Sequence, residues 1–263
     1  MSKISIELID KSITLLGVEA IINFYQTMAI DQLQLPGLDA FVTGADSPSL
    51  NVVIDTREND TFNAELIITM TNFFKKHQVP WGWFITAVAA VDDIEKHSFN
   101  LLYQTPGMYF DLSNVLPANE TNIVEIKEAE DDLKKWIEPL QEGFPSNDNC
   151  EAYRHLNSEL LRNGEKKLRH FTAYYQNEVA ASATLFLSDY SVMLHNLATK
   201  NKFKNRGIGT ALTLHMMLEA KKAGQQHCFL DSSEDGCNLY NRLGFKVYCI
   251  TSVYEINKVL IKC

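Results

Sequence analysis

The sequence predicts an α+β protein of two halves, each a mixed, mostly antiparallel sheet flanked by helices. Three observations predict it. Short alternating runs joined by tight turns, such as Arg169–Tyr175 and Val179–Leu187, read as antiparallel hairpins. Other strand-like runs are separated by helix-length segments, which is the pattern of parallel pairing. Finally, the order strand–helix–strand–helix–strand found from Ser191 onward also occurs between Leu50 and Leu112. That implies a duplication with a repeat of roughly 130 residues, far longer than the period of a solenoid. The break falls near Val115-Leu-Pro-Ala-Asn-Glu-Thr121, so the domains are expected at 1–118 and 122–263.

In the first half, Leu50–Thr56, Trp81–Val88 and Gly107–Leu112 read as strands, and Thr61–Lys76 and Asp92–Tyr103 as helices. In the second half, Asn122–Lys127 alternates as a strand. Glu130–Gln141, with acids in its first turn, and Cys150–Arg162 read as helices. The Arg169–Tyr175 and Val179–Leu187 hairpin turns at Gln176-Asn177-Glu178, and Ser191–Ala198 is a third strand. A glycine-bearing loop, Lys200–Gly209, leads into a helix, Thr210–Ala223, ended by Gly224. Ala211, Leu214 and Leu218 would give that helix its buried face. Gln226–Asp231 is a strand and Asn238–Leu243 a short helix capped by Gly244. Phe245–Ile250 and Val253–Lys258 are expected to close as a hairpin.

Composition narrows the class. At 46% apolar and 22% charged, the chain is globular rather than disordered. The longest uncharged apolar run, near Trp83–Val91, is far short of the roughly 20 residues of a membrane helix. The N-terminus lacks an apolar core of signal-peptide length, so a cytoplasmic protein is expected. The cysteines, at 150, 228, 237, 249 and 263, form no C-x-x-C pair, and no metal is expected. The net charge of −9 opposes a general nucleic-acid role. Residues 1–120 carry that acidity, with 6 Lys and Arg against 15 Asp and Glu; residues 121–263 carry 18 of each.

The chemistry concentrates in Leu197-Ala-Thr-Lys-Asn-Lys-Phe-Lys-Asn-Arg-Gly-Ile-Gly-Thr210. Gly207 and Gly209 free the backbone to converge on one point. The next helix adds unpaired first-turn N–H groups and its positive dipole end. With Lys200, Lys202, Lys204 and Arg206 alongside, the loop suits a phosphate or pyrophosphate. It is not a P-loop, and Gly207-Ile-Gly-Thr-Ala-Leu212 fails the last position of a dinucleotide fingerprint. A pyrophosphate loop and a plain strand–helix turn both remain open on these residues alone.

Two strings together resemble the GNAT superfamily of N-acetyltransferases. Lys204-Asn-Arg-Gly-Ile-Gly209 is similar to its [QR]-x-x-G-x-[GA] signature, with Lys in the first place. About 30 residues on, Phe229-Leu-Asp-Ser-Ser-Glu-Asp-Gly-Cys-Asn-Leu-Tyr-Asn-Arg-Leu-Gly-Phe245 resembles the family's strand, Tyr-bearing helix and Gly-Phe. The resemblance covers about 122–263. Trp81-Gly-Trp83 and Gly107-Met-Tyr-Phe-Asp-Leu112 resemble members with a degraded first copy of the fold. Thr56-Arg-Glu-Asn-Asp-Thr61 has no glycine, so the first half is not expected to bind CoA.

The resemblance implies acetyl transfer from acetyl-CoA to an amine by direct attack. It implies that N–H groups of Lys204, Asn205, Arg206, Gly207, Ile208, Gly209 and Thr210 hold the pyrophosphate. It further implies that Leu197, Ala198 and Thr199 pair with the pantetheine arm, a freed N–H near Leu197 facing the thioester carbonyl. By the same resemblance Tyr240 protonates the departing thiolate, and Ser233 contacts pantetheine or caps the Tyr240 helix. The base stays open among His195, Asp231, Glu151 and a water chain, with His195 preferred. Trp81, Trp83 and Trp136 read as core, or as a pocket wall. The acceptor is a small-molecule or protein amine, with no nucleic acid or membrane partner, and the chain a monomer or homodimer. The acidic first half leans toward a cationic acceptor. A non-catalytic CoA-binding module is the rival reading.

Overall fold

The computed structural model describes residues 10–57, 63–86, 94–97, 99–115, 123–129, 133–144 and 150–256. The elements in chain order are α1 (Lys11–Met28), β1 (Asp31–Leu35), β2 (Leu38–Val42), β3 (Val52–Asp55), α2 (Ala64–Lys75), β4 (Gly82–Ile85) and β5 (Phe99–Asp111). They continue with β6 (Glu125–Glu128), α3 (Lys134–Gly143), α4 (Cys150–Arg162), β7 (Leu168–Tyr175), β8 (Glu178–Leu187) and β9 (Ser191–Thr199). The last are α5 (Ile208–Lys222), β10 (His227–Asp231), α6 (Glu234–Leu243) and β11 (Lys246–Ile256). Two compact units result: residues 107–247, and residues 10–106 with 248–256.

In the unit of residues 107–247 the strand order is β6-β7-β8-β9-β10-β5, the last through Gly107–Asp111. Every neighbouring pair is antiparallel except β9 and β10, which α5 connects. Gln176 (φ +51) and Asn177 (φ +66) make the β7–β8 turn, both left-handed as a two-residue hairpin requires. Alternation along β7 separates two layers. The His170 ring meets Trp136 of α3 at 4.6 Å, whereas the Phe171 ring meets His215 of α5 at 5.3 Å. Helices therefore cover both faces.

In the other unit the order is β1-β2-β3-β4-β11, again antiparallel except for one parallel pair, β3 and β4, joined through α2. Leu38, Ala40, Val53 and Trp83 share a face with Met70, Phe73 and Phe74 of α2. Phe84 points the other way, its ring 6.4 Å from Tyr25 of α1. Asn51 pins the loop before β3. Its Oδ1 accepts from the Thr43 and Gly44 N–H groups, and its Nδ2 donates to the carbonyls of Ala45, Ser47 and Pro80. Asn51→Ala strands these buried groups and is expected to cost about 2–4 kcal/mol, read as a lowered urea midpoint.

Most expected elements occur within a few residues of their predicted ends, and three do not. Asp92–Tyr103 is not a helix: Ile94–His97 form one 3-10 turn, and β5 begins at Phe99, whose ring sits against Trp81 and Trp83. Pairing overrides a run whose apolar spacing fits either period. Lys246–Ile256 is one strand rather than a hairpin; Thr251 is buried and Ser252 pairs with Ile85, where no glycine or proline forces a turn. The buried face of α5 is Ile208, Leu212, Thr213, Met216, Met217 and Ala220, while Ala211, Leu214 and Leu218 are half-buried. Leu212, Met216, Met217 and Ala220 recur at i, i+4, i+5 and i+8, a stripe of the 3.6-residue period beside the predicted one. The expected linker beyond Val115, most of the Thr56–Thr61 loop, and residues 61–62, 87–88, 92–93, 98, 122, 130–132 and 257–258 of expected elements lie outside the described residues. Among those described, no helix is long and apolar enough to cross a membrane.

Candidate active site

The site residues cluster where β9 runs into α5. Parallel pairing of β9 with β10 starts at Ser191↔His227 and ends at Leu194↔Leu230. Beyond that point β9 continues for five residues, while Asp231 of β10 pairs with Gly107 of β5. On its other side β9 keeps β8, but with a slip. Thr184 faces His195 and Ser182 faces Ala198, so two steps on β8 match three on β9. The extra residue is a β-bulge at Asn196, whose φ is +57. Asn196–Thr199 thus run on beyond the β9–β10 ladder, which ends at Leu194↔Leu230.

The following loop is tied down at its start. Asn201 N–H donates to Glu142 Oε1 at 2.7 Å, Lys200 Nζ lies 2.6 Å from Glu138 Oε2, and Lys202 pairs with Glu178. Phe203 is buried with its ring against Tyr175. Two of the four expected cations are therefore engaged with carboxylates. Lys204 and Arg206 are exposed and have no carboxylate partner among the described residues; Arg206 lies over the Tyr175 ring at 5.5 Å.

The backbone then turns sharply. Asn205 (φ +61) and Gly207 (φ +78) are both left-handed, on either side of Arg206. Alternation of this kind points successive N–H groups into one concavity. Gly207 is the N-cap of α5 and has no side chain to satisfy the first turn; its carbonyl accepts from Ala211. Among the described residues, the N–H groups of Arg206, Gly207, Ile208, Gly209 and Thr210 meet no backbone acceptor. Five donors at the positive end of a 15-residue helix are an arrangement that favours an anion. Gly209 serves packing: a β-carbon there would stand 3.1 Å from Leu239 Cδ1, 3.6 Å from Thr199 Oγ1 and 4.0 Å from Leu197 Cδ2. The absent side chain lets the mouth of α5, the end of β9 and α6 meet.

Helix α6 begins at Ser233, whose Oγ accepts from Gly236 N–H at 3.2 Å, and has Glu234 and Asp235 in its first turn. It ends on Gly244 (φ +93), with Phe245 N–H returning to the Tyr240 carbonyl. The helix starts four residues earlier than Asn238, since Ser233 supplies the cap. Tyr240 is buried, its ring edge-on to Phe245. Burial, then the neighbouring Cys228, pushes its phenol above the usual value of 10, so it carries its proton throughout the neutral range.

The candidate bases fare differently. His195 lies opposite Thr184, which lies opposite His170, so it belongs to the face covered by α3. Burial holds it at about 3, neutral at pH 7. Glu151 is engaged by Gln141 and Arg154. Trp81 and Trp83 are core, Trp81 stacked on Phe74, and so is Trp136, whose Nε1 donates to the Ala183 carbonyl.

A set of residues around the bulge was not singled out from the sequence. Asn196 Nδ2 donates to Tyr153 Oη at 2.8 Å, and Thr184 Oγ1 lies 2.9 Å from His170 Nδ1. The available signal was an asparagine inside a strand pattern, since asparagine tolerates the left-handed conformation.

Residues 166–247 match the acetyltransferase (GNAT) domain family model. The matched stretch runs from just before β7 into β11 and includes the bulge, the loop and Tyr240. The fold is shared with a GCN5-related N-acetyltransferase from Kribbella flavida, at 13% identity and TM-score 0.69, covering 92% of this chain and 95% of that one. A conserved protein of unknown function from Staphylococcus epidermidis aligns at 12% identity and TM-score 0.64, covering 89% and 97%. A GCN5-related N-acetyltransferase from Sphaerobacter thermophilus aligns at 14% identity and TM-score 0.58, covering 83% and 76%. No curated protein matches the sequence.

Proposed function

We propose that the unit of residues 107–247 transfers an acetyl group from acetyl-CoA to an amine. One observation carries the reading: the stretch of β9 beyond its ladder with β10 leads directly into five unpartnered N–H groups at the mouth of α5. An extended arm with a diphosphate at its end is the ligand shape that uses both. In this reading the N–H groups of Arg206 to Thr210 hold the pyrophosphate; the Lys204 N–H donates to the Asn201 carbonyl instead, so Lys204, with Arg206, adds charge alone. Leu197, Ala198 and Thr199 pair with the pantetheine amides as a missing β10 neighbour would. Ser233 accepts from Gly236, which leaves its O–H to donate to the arm.

The amine nitrogen attacks the thioester carbon, and the oxygen gains charge that the Leu197 N–H stabilises. The carbon–nitrogen bond forms and the carbon–sulfur bond breaks. Tyr240 gives its proton to the departing thiolate and is reprotonated by the proton that the amine releases. His195, on the α3 face with its Nε2 shielded from solvent, is given no part in this step. The acceptor is a small-molecule or protein amine.

The other unit is proposed to be a degenerate copy that does not bind CoA. It has the same single parallel pair joined by a helix. There, however, β3 and β4 stay paired to their last residues, Asp55↔Ile85. Asp55 is buried beneath a bidentate Arg57 and accepts from Trp83 Nε1 at 3.0 Å, closing the place of a cleft.

The test is thiol release from acetyl-CoA across an amine panel, with Tyr240→Phe beside the natural chain. Turnover is expected to fall about 100-fold while acetyl-CoA affinity stays within about twofold. Equal loss of both would assign Tyr240 to packing. Binding without turnover by the natural chain would favour a CoA-binding module instead.

A further inference from the structure

Asn196 adopts φ +57 in the bulge of β9, where its ladder with β8 slips by one residue. Asparagine tolerates this conformation better than other side-chain-bearing residues, but inside a paired strand its surroundings must select it. Here they do so through a buried network. Asn196 Nδ2 donates to Tyr153 Oη at 2.8 Å and lies 3.5 Å from Thr184 Oγ1, which in turn lies 2.9 Å from His170 Nδ1. Trp136 backs both ends, 5.9 Å from the Tyr153 ring and 4.6 Å from that of His170. Tyr153 comes from α4, so it fixes the bulge from outside the strand pair.

We propose that Tyr153 is a positioning residue: through Asn196 it sets the turn of the β9 bulge, and with it the direction of the Leu197 N–H. Its catalytic consequence rests on the acyl-transfer reading, in which that N–H faces the thioester carbonyl. A core tyrosine that merely filled space would be replaced by phenylalanine at little cost to geometry. A tyrosine that holds Asn196 would not.

Tyr153→Phe keeps the ring and removes the oxygen. In ¹⁵N–¹H spectra of the ligand-free full chain, the Asn196 and Leu197 peaks are expected to move while those of Gly207 and Gly209 stay. Turnover should fall roughly 10-fold, with acetyl-CoA affinity within about twofold. In an Asn196→Gly background, where the left-handed turn needs no side chain, Tyr153→Phe should change turnover less than about twofold. Stationary Asn196 and Leu197 peaks, or an equal fall in both backgrounds, would overturn the proposal. Moving peaks in a chain whose natural form binds no acetyl-CoA would support the hold on the bulge and overturn its assignment to a thioester. Should Tyr153→Phe not fold, Tyr153→Met, which fills the site without a hydroxyl, gives the same spectral readout.

Discussion

Gly209→Val is expected to lower acetyl-CoA affinity by about 100-fold or more, a loss of roughly 2.7 kcal/mol by calorimetric titration. The reason is local. The first carbon of any side chain at 209 already meets Leu239 Cδ1 at 3.1 Å, and the branches of valine reach further toward Thr199 and Leu197. Something must move, and the neighbours are the edge assigned to pantetheine and the helix that carries Tyr240. Folding should survive, because Gly209 lies in the first turn of α5, where no intrahelical N–H bond is yet made. A melting temperature within a few degrees of the natural chain, together with lost binding, is the expected pair of results. Undiminished affinity would remove the α5 mouth from the ligand site. Gly207 gives a milder comparison. At φ +78, with its nearest neighbour Ile123 Cδ1 at 3.5 Å from an added β-carbon, alanine meets strain more than collision.

The second large effect is acid lability. Burial holds His170 and His195 each at about 3, against about 6.5 in an unfolded chain. Between those values the unfolded state binds more protons than the folded one, so stability rises with pH. The contribution is complete above about pH 6.5 and is lost as pH falls toward 3. At pH 5 each histidine should cost about 2 kcal/mol relative to pH 7. His215 is lowered in the same direction by partial burial. The carboxylates held low by their partners, among them Asp31 and Glu219, act at more acid pH, so the interval from pH 6.5 to 5 isolates the histidines. Urea midpoints should fall steeply across it. His170→Asn should flatten that slope by about 2 kcal/mol whatever it does to stability at pH 7. A slope unchanged by the substitution would mean that His170 titrates as an exposed imidazole.

Much of the β7–α6 stretch is legible in the sequence because its signals are local. The Gln176-Asn177 turn, Gly207, Gly224 and Gly244 all take the positive φ that their residue types suggest. Gly209 is legible as small but not as to why: its neighbour Leu239 lies 30 positions away. The errors arise where tertiary contacts decide. Phe99–Tyr103 fits a helix until Trp81 and Trp83 provide a surface for Phe99. Thr251-Ser252 suits a turn until strand partners continue the ladder. The α1–β1–β2 segment has no counterpart among the expected elements, although Val18, Ile21, Tyr25 and Met28 recur at helical spacing on the buried face of α1. His195 suits a base by its place on β9 in the sequence; its side chain belongs to the α3 face, where burial keeps it neutral. The β9 bulge has one mark in the sequence, Asn196, and is fixed by Tyr153 from 43 positions earlier.

The most direct test is to titrate the ¹⁵N-labelled chain with acetyl-CoA and follow the backbone amides. The account predicts that the amide peaks from Arg206 to Thr210 shift downfield and saturate together with those of Leu197 to Thr199, while the β3–β4 amides stay in place. Saturable binding that leaves the 206–210 amides unmoved would contradict it.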